Sequence, residues 1–94
     1  MILGYRDKRT RDFAAGKRVK AFSGCERQAH LTLRVLDLAR NLETLAKIPG
    51  NHFEAFKGDR KGQYSIRINR QWRVCFEWPD AALGPSQVEI VDYH

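Results

Sequence analysis

A chain of 94 residues is enough for one domain with one modest core, and 43% hydrophobic residues set it apart from disordered sequences. Its 17 Lys and Arg against 11 Asp and Glu leave a net charge of +6, which reads as a solvated basic surface or as the footprint of a polyanionic partner. Cys25 and Cys75 show no Cys-x-x-Cys or Cys/His spacing, which argues against a disulfide framework or a zinc site. No apolar run suits a signal peptide or a membrane span. The expectation is a cytoplasmic protein with reduced thiols, no cofactor and no membrane role.

Residues 1–5, apolar at Ile2 and Leu3, read as a brief first strand. A basic run follows, with Lys8, Arg9, Arg11, Lys17, Arg18 and Lys20 against Asp7 and Asp12. It reads first as a solvated helix face and second as a partner-facing surface. Thr10 is placed to cap a short helix through Phe13, Ala14 and Ala15, which Gly16 would end. Ser23-Gly24-Cys25-Glu26 has the form of a capping box and opens the longest helix. Along it Leu31, Val35, Leu38, Leu42 and Leu45 recur at intervals of four and three, and Leu36 and Ala39 widen the stripe. Arg27, Arg34, Asp37 and Arg40 fall largely off it. The spacing predicts a helix that covers a sheet with this stripe, weakens near Asn41 and is stopped by Pro49-Gly50.

From residue 51 the hydrophobic period changes from about 3.6 to 2. Tyr64, Ile66 and Ile68 share one face of a strand, with Ser65, Arg67 and Asn69 on the other. In the next strand Trp72, Val74, Phe76 and Trp78 share a face, with Arg73, Cys75 and Glu77 opposite. Matching the two apolar faces sets Ile68 against Trp72, Ile66 against Val74 and Tyr64 against Phe76, around a short loop centred on Arg70. Turn signals at Pro79-Asp80 and Gly84-Pro85 precede a third strand over residues 88–94. The predicted fold is α+β, one domain over residues 1–94, with two N-terminal helices packed on a small, mostly antiparallel sheet.

The same register sets Arg67 directly opposite Arg73 on the polar face. Like charges so placed repel by up to ~1 kcal/mol. A phosphate between them would turn repulsion into two charge-assisted contacts, and chance surface placement explains the pair equally well. The loop Lys57-Gly58-Asp59-Arg60-Lys61-Gly62 adds further cations, and its glycines allow backbone amides close to an anion. It is not a Walker motif. Asp92-Tyr93-His94 combines an acid, a ring with a hydroxyl and an imidazole, although a terminal histidine alone is usually just exposed. RNA cleavage without a metal requires an activated 2′-hydroxyl, a stabilised phosphorane and a protonated leaving oxygen. Cations with a Tyr or His supply all three. No Asp/Glu/His cluster has metal-ligand spacing.

The run Phe56-Lys57-Gly58-Asp59-Arg60-Lys61-Gly62-Gln63-Tyr64-Ser65-Ile66-Arg67-Ile68-Asn69, then Gln71-Trp72-Arg73-Val74-Cys75-Phe76, then Val88-Glu89-Ile90-Val91-Asp92-Tyr93-His94, closely resembles the HigB toxins. These are plasmid-maintenance killer proteins of bacterial toxin–antitoxin systems, within the RelE/ParE superfamily. The resemblance implies the RelE-like microbial RNase fold and a ribosome-dependent mRNA endoribonuclease that inhibits translation without a metal. It implies as partners the 70S ribosome with its mRNA and ribosomal RNA, and a HigA-type helix-turn-helix antitoxin. By motif position, Lys57 and Arg73 resemble active-site cations on the scissile phosphate, and Asp92, Tyr93 and His94 the C-terminal active-site group. The neighbouring Arg60, Lys61 and Arg67, together with His52, are expected contacts to RNA or ribosomal RNA. Some family members carry a histidine three residues before the motif lysine, where this chain has Glu54; its nearest histidine is His52. Either His52 substitutes, or acid–base work falls on Lys57, Tyr93 or His94. A non-catalytic toxin of the gyrase-poison type and a plain RNA-binding module are the alternatives. The set Lys57, Arg73, Tyr93 and His94 favours the enzyme, and commitment of Tyr64, Trp72 and Phe76 to the core weighs against the binding module.

Overall fold

In the computed structural model, which describes residues 1–92, the alternating stretches form a hairpin of two strands, β2 (Gln63–Arg67) and β3 (Trp72–Glu77). Its register is the predicted one: Ile66 lies opposite Val74, Tyr64 opposite Phe76 and Arg67 opposite Arg73. The Ile68 amide donates to the Trp72 carbonyl at 2.9 Å. Asn69 Oδ1 accepts from the amides of Gln71 and Trp72, each at 2.8 Å, and so closes the loop. Strand β4 (Ser86–Asp92) adds antiparallel to β3 with Ile90 opposite Val74. A two-residue strand, β1 (Glu54–Ala55), adds to the far edge of β2. The sheet therefore runs β1-β2-β3-β4 in chain order.

Residues 1–5, expected as a strand, contribute a single parallel bridge from Tyr5 to Val88. It is flanked by bonds from the Arg6 amide to the Val88 carbonyl and from the Val88 amide to the Gly4 carbonyl. Helix α1 (Lys8–Ala14) is capped by Asp7, whose carboxylate accepts from the Thr10 amide at 3.1 Å. Thr10, expected as the cap, sits inside the helix and is fully buried. Its hydroxyl oxygen accepts from the Ile90 amide at 3.0 Å and ties α1 to β4.

The capping box at Ser23 does not form. Ser23 ends a 3-10 turn, Lys20–Phe22, that buries Phe22, and α2 (Glu26–Leu38) begins at Cys25 with no side-chain cap. The buried stripe of α2 is Ala29, Leu33 and Leu36, while Leu31 and Leu38 are 55% and 66% exposed. The expected stripe ran from Leu31 to Leu45 along a helix that weakens near Asn41. The chain instead turns extended at Ala39 and restarts as α3 (Leu42–Lys47), capped by Asn41 Oδ1 on the Thr44 amide. Leu42 and Leu45 thus belong to a second helix and do not set the phase of the first. Phe13, Phe22 and Trp72 meet edge to face in sequence, joining helices to sheet. The helices bury their stripe with Ile66, Ile68, Val74, Phe76, Val88 and Ile90 in one core. This is the predicted α+β architecture, and it leaves the polar side of the sheet uncovered by helices.

Truncating α2 tests its phase. Leu36→Ala should cost ~2–5 kcal/mol and Leu31→Ala no more than ~0.5 kcal/mol, read by urea unfolding at constant slope. Equal losses at the two positions would place the stripe where the sequence spacing put it.

Candidate active site

Alternation assigns the uncovered face. Glu54, Ser65, Cys75 and Glu89 form one cross-strand row, and Arg67, Arg73 and Val91 form the next. Arg73 reaches diagonally across β2. Its Nε donates to Ser65 Oγ at 2.8 Å, and its Nη2 donates to the carbonyls of Ser65, at 3.4 Å, and of His52. Arg67 donates from Nε to the Asn69 carbonyl at 3.1 Å, and its Nη1 stands 3.4 Å from His52 Nε2. A guanidinium only donates, so the ring nitrogen is the acceptor in that pair. His52 therefore touches both arginines, one through its backbone and one through its ring.

The local chain explains how. A 3-10 turn, Pro49–Asn51, ends at His52 with φ 44° and ψ 52°, a left-handed conformation. The buried Asn51 side chain donates from Nδ2 to the Leu45 carbonyl at 3.1 Å and anchors the turn to α3. That kink directs the His52 carbonyl onto Arg73 just before β1 begins.

The basic loop is a second cationic element. Lys57 precedes a 3-10 turn, Gly58–Arg60, and Lys61 follows it; both lysines are exposed. Gly58 and Gly62 have φ of 66° and 93°, where an L side chain is strained. Arg60 lies 4.3 Å above the Phe56 ring and donates through Nε and Nη2 to Gln63 Oε1. Cys75 is buried beneath this face, and burial pushes its thiol pKa up while the Arg60 guanidinium opposes the shift. A protonated, covered thiol has no nucleophilic part to play.

Asp92 follows Val91, the residue opposite Arg73. It lies opposite Trp72, so it projects from the helix side of the sheet, and it accepts from Gln71 Nε2 at 3.0 Å. Tyr93 and His94, the other two residues of the C-terminal group, lie outside the described residues. His30 stacks on Phe13 at 4.0 Å, on the helix side. Ser65 and Glu54 were not singled out from the sequence as site residues. For Ser65 the signal existed, because alternation put it on the face of Arg67. For Glu54 it did not, because a two-residue strand shows no period. The described part of the face thus brings two guanidinium groups together on hydroxyl, carbonyl and imidazole acceptors, and guanidinium groups are suited to a phosphate ester. Among the described residues no group of three or more His, Cys, Asp or Glu is placed to hold a metal ion.

The chain is similar in sequence and in fold to known proteins. A family model described as the RelE-like toxin of type II toxin-antitoxin system HigB matches residues 4–94. The chain is 38% identical over 82 residues to Toxin HigB-1 of Vibrio cholerae serotype O1, covering 85% of this chain and 86% of that protein. Among solved structures it is similar to the YoeB dimer from Staphylococcus aureus, with a TM-score of 0.54 at 18% identity, over 99% of this chain and 94% of that one. It is also similar to a YoeB/ParE toxin from Agrobacterium tumefaciens, with a TM-score of 0.54 at 20% identity, over 99% and 97% of the two chains. At those identities the likeness is one of fold.

The His52 kink has a direct test. His52→Gly should keep the left-handed backbone and at least the wild-type stability, whereas His52→Val should lose ~1–3 kcal/mol to backbone strain. Chemical denaturation of both variants reads the difference, and equal stabilities would show that the backbone at this position is not held at positive φ.

Proposed function

The chain belongs to the RelE-like HigB toxins of type II toxin–antitoxin systems, and on that premise we propose that it is a metal-independent endoribonuclease that cuts ribosome-bound mRNA and stops translation. The observation that carries this reading is the Arg67–Arg73 pair, set side by side by strand register, with Arg73 held by Ser65 and His52. The scissile phosphate lies against that pair. The Arg73 guanidinium donates to a non-bridging oxygen, and that contact strengthens as negative charge builds on the phosphorane. Lys57 adds a second cation. The 2′-hydroxyl attacks phosphorus, the bond to the 5′-oxygen breaks, and the products are a 2′,3′-cyclic phosphate and a 5′-hydroxyl. The proton leaves the 2′-oxygen to a base and is returned to the 5′-oxygen by an acid. His52 is the imidazole that touches the arginine pair among the described residues; Tyr93, His94 and Lys57 are the other candidates.

The exposed Lys61 and the stacked Arg60 extend the cationic surface toward ribosomal RNA. A toxin of this class has an antitoxin, and we assign that part to a HigA-type helix-turn-helix protein. The site of action is the cytoplasm, where the ribosomes are. Among the described residues no helix is long and apolar enough to cross a membrane.

Single-turnover cleavage of mRNA on 70S ribosomes is the test. Arg73→Ala should lower the rate roughly a hundredfold or more, the loss expected for one transition-state donor, and Arg73→Lys should recover only part of it. Circular dichroism and co-purification with the antitoxin should be unchanged. Wild-type cleavage by a folded Arg73→Ala protein would remove this face from catalysis. Growth arrest with no mRNA cut would move the chain to the non-nuclease toxins.

Ribosome binding should also weaken steeply as salt rises, because each phosphate contact releases counterions. Co-sedimentation that stays constant from low to high salt would contradict a cationic docking surface.

A further inference from the structure

We propose that Ser65 is a positioning residue for Arg73, and that its hydroxyl fixes the plane of the guanidinium without cancelling its charge. The inference rests on the reading of Arg73 as the phosphate-binding group. Ser65 is 0% exposed, although it sits on the face of the sheet that the helices leave uncovered. Its Oγ accepts from Arg73 Nε at 2.8 Å, and its backbone carbonyl accepts from Nη2 at 3.4 Å. The His52 carbonyl accepts from the same Nη2. Contacts at Nε and Nη2 define one edge of the fork, and an edge held at two atoms fixes both the position and the roll of the plane.

The need for such a hold follows from the register. Arg67 lies directly opposite Arg73, and two guanidiniums in that relation push apart. A long, flexible arginine would swing away from its neighbour unless something retained it. A carboxylate in the place of Ser65 would retain it as an ion pair and neutralise the charge a phosphate needs. A hydroxyl and two carbonyls retain it as neutral acceptors. The small side chain of serine also lets Arg73 lie flat across β2 toward His52. Ser65 touches no substrate in this arrangement and acts through Arg73 alone.

Threonine and valine have the same shape, so Ser65→Thr and Ser65→Val differ in the hydroxyl only. Single-turnover cleavage on programmed 70S ribosomes should find Ser65→Thr within a few-fold of wild type. Ser65→Val should be slower by roughly tenfold to a hundredfold at saturating ribosomes, the scale of a misplaced catalytic group, with the half-saturating ribosome concentration unchanged. The double variant Ser65→Val/Arg73→Ala should be no slower than Arg73→Ala, because a positioning residue has nothing left to position. Equal rates for the Thr and Val proteins would overturn the proposal. So would a loss that adds in full to that of Arg73→Ala, or a Ser65→Val protein that fails to fold where Ser65→Thr folds. If neither folds, Ser65→Ala is compared with wild type by the same readouts, and its failure to fold would make Ser65 purely structural. An Arg73→Ala protein that cuts at the wild-type rate would sink the catalytic reading itself, whatever Ser65 does.

Discussion

Burial of Ile66 against Val74 leaves the central hairpin one acceptable register. A slip of β2 by one residue would turn Tyr64 and Ile66 outward and drive Arg67 into the core. Each buried aliphatic or aromatic side chain is worth about 1.5–3 kcal/mol, whereas the repulsion between the facing arginines is at most ~1 kcal/mol. The core therefore wins, and the arginine pair is imposed by packing on the opposite side of the strands. The cations are close because the hydrophobic face demands it, and the polar face has to accommodate them. It does so with the Asn69, Ser65 and His52 carbonyls, the Ser65 hydroxyl and the His52 ring.

The sheet was legible for a local reason. Alternation is a property of neighbouring residues, and a short loop carries it from one strand to the next, so Ile66–Val74 and Arg67–Arg73 could be paired with no knowledge of the rest. The helices were less legible because their ends are decided by where the chain must go. Asp7 and Thr10 are both competent caps, and only the need to bury Thr10 against Ile90 selects Asp7. The expected weakening near Asn41 is the cap of α3, but no Gly or Pro marks the break at Ala39, so the spacing reads Leu31 and Leu38 into a stripe that α2 does not bury.

The candidate site divides in the same way. Arg67, Arg73 and the face of Ser65 follow from period 2. The contribution of His52 to Arg73 comes from its backbone, which residue type does not advertise. Asp92 was grouped with its sequence neighbours, yet adjacent strand residues project to opposite sides, and its pairing with Trp72 puts it on the side away from Arg73.

The helices come before the sheet in the chain, and the two are tied at Tyr5–Val88 and at Thr10–Ile90. During synthesis α1 and α2 emerge while the strands that cover them have yet to be translated. Phe13, Leu33 and Leu36 have no apolar surface to meet until β2, β3 and β4 arrive. The face that carries Arg73 is made from those same late strands. A nascent chain still being elongated therefore holds no assembled arginine pair until translation of the sheet is nearly done.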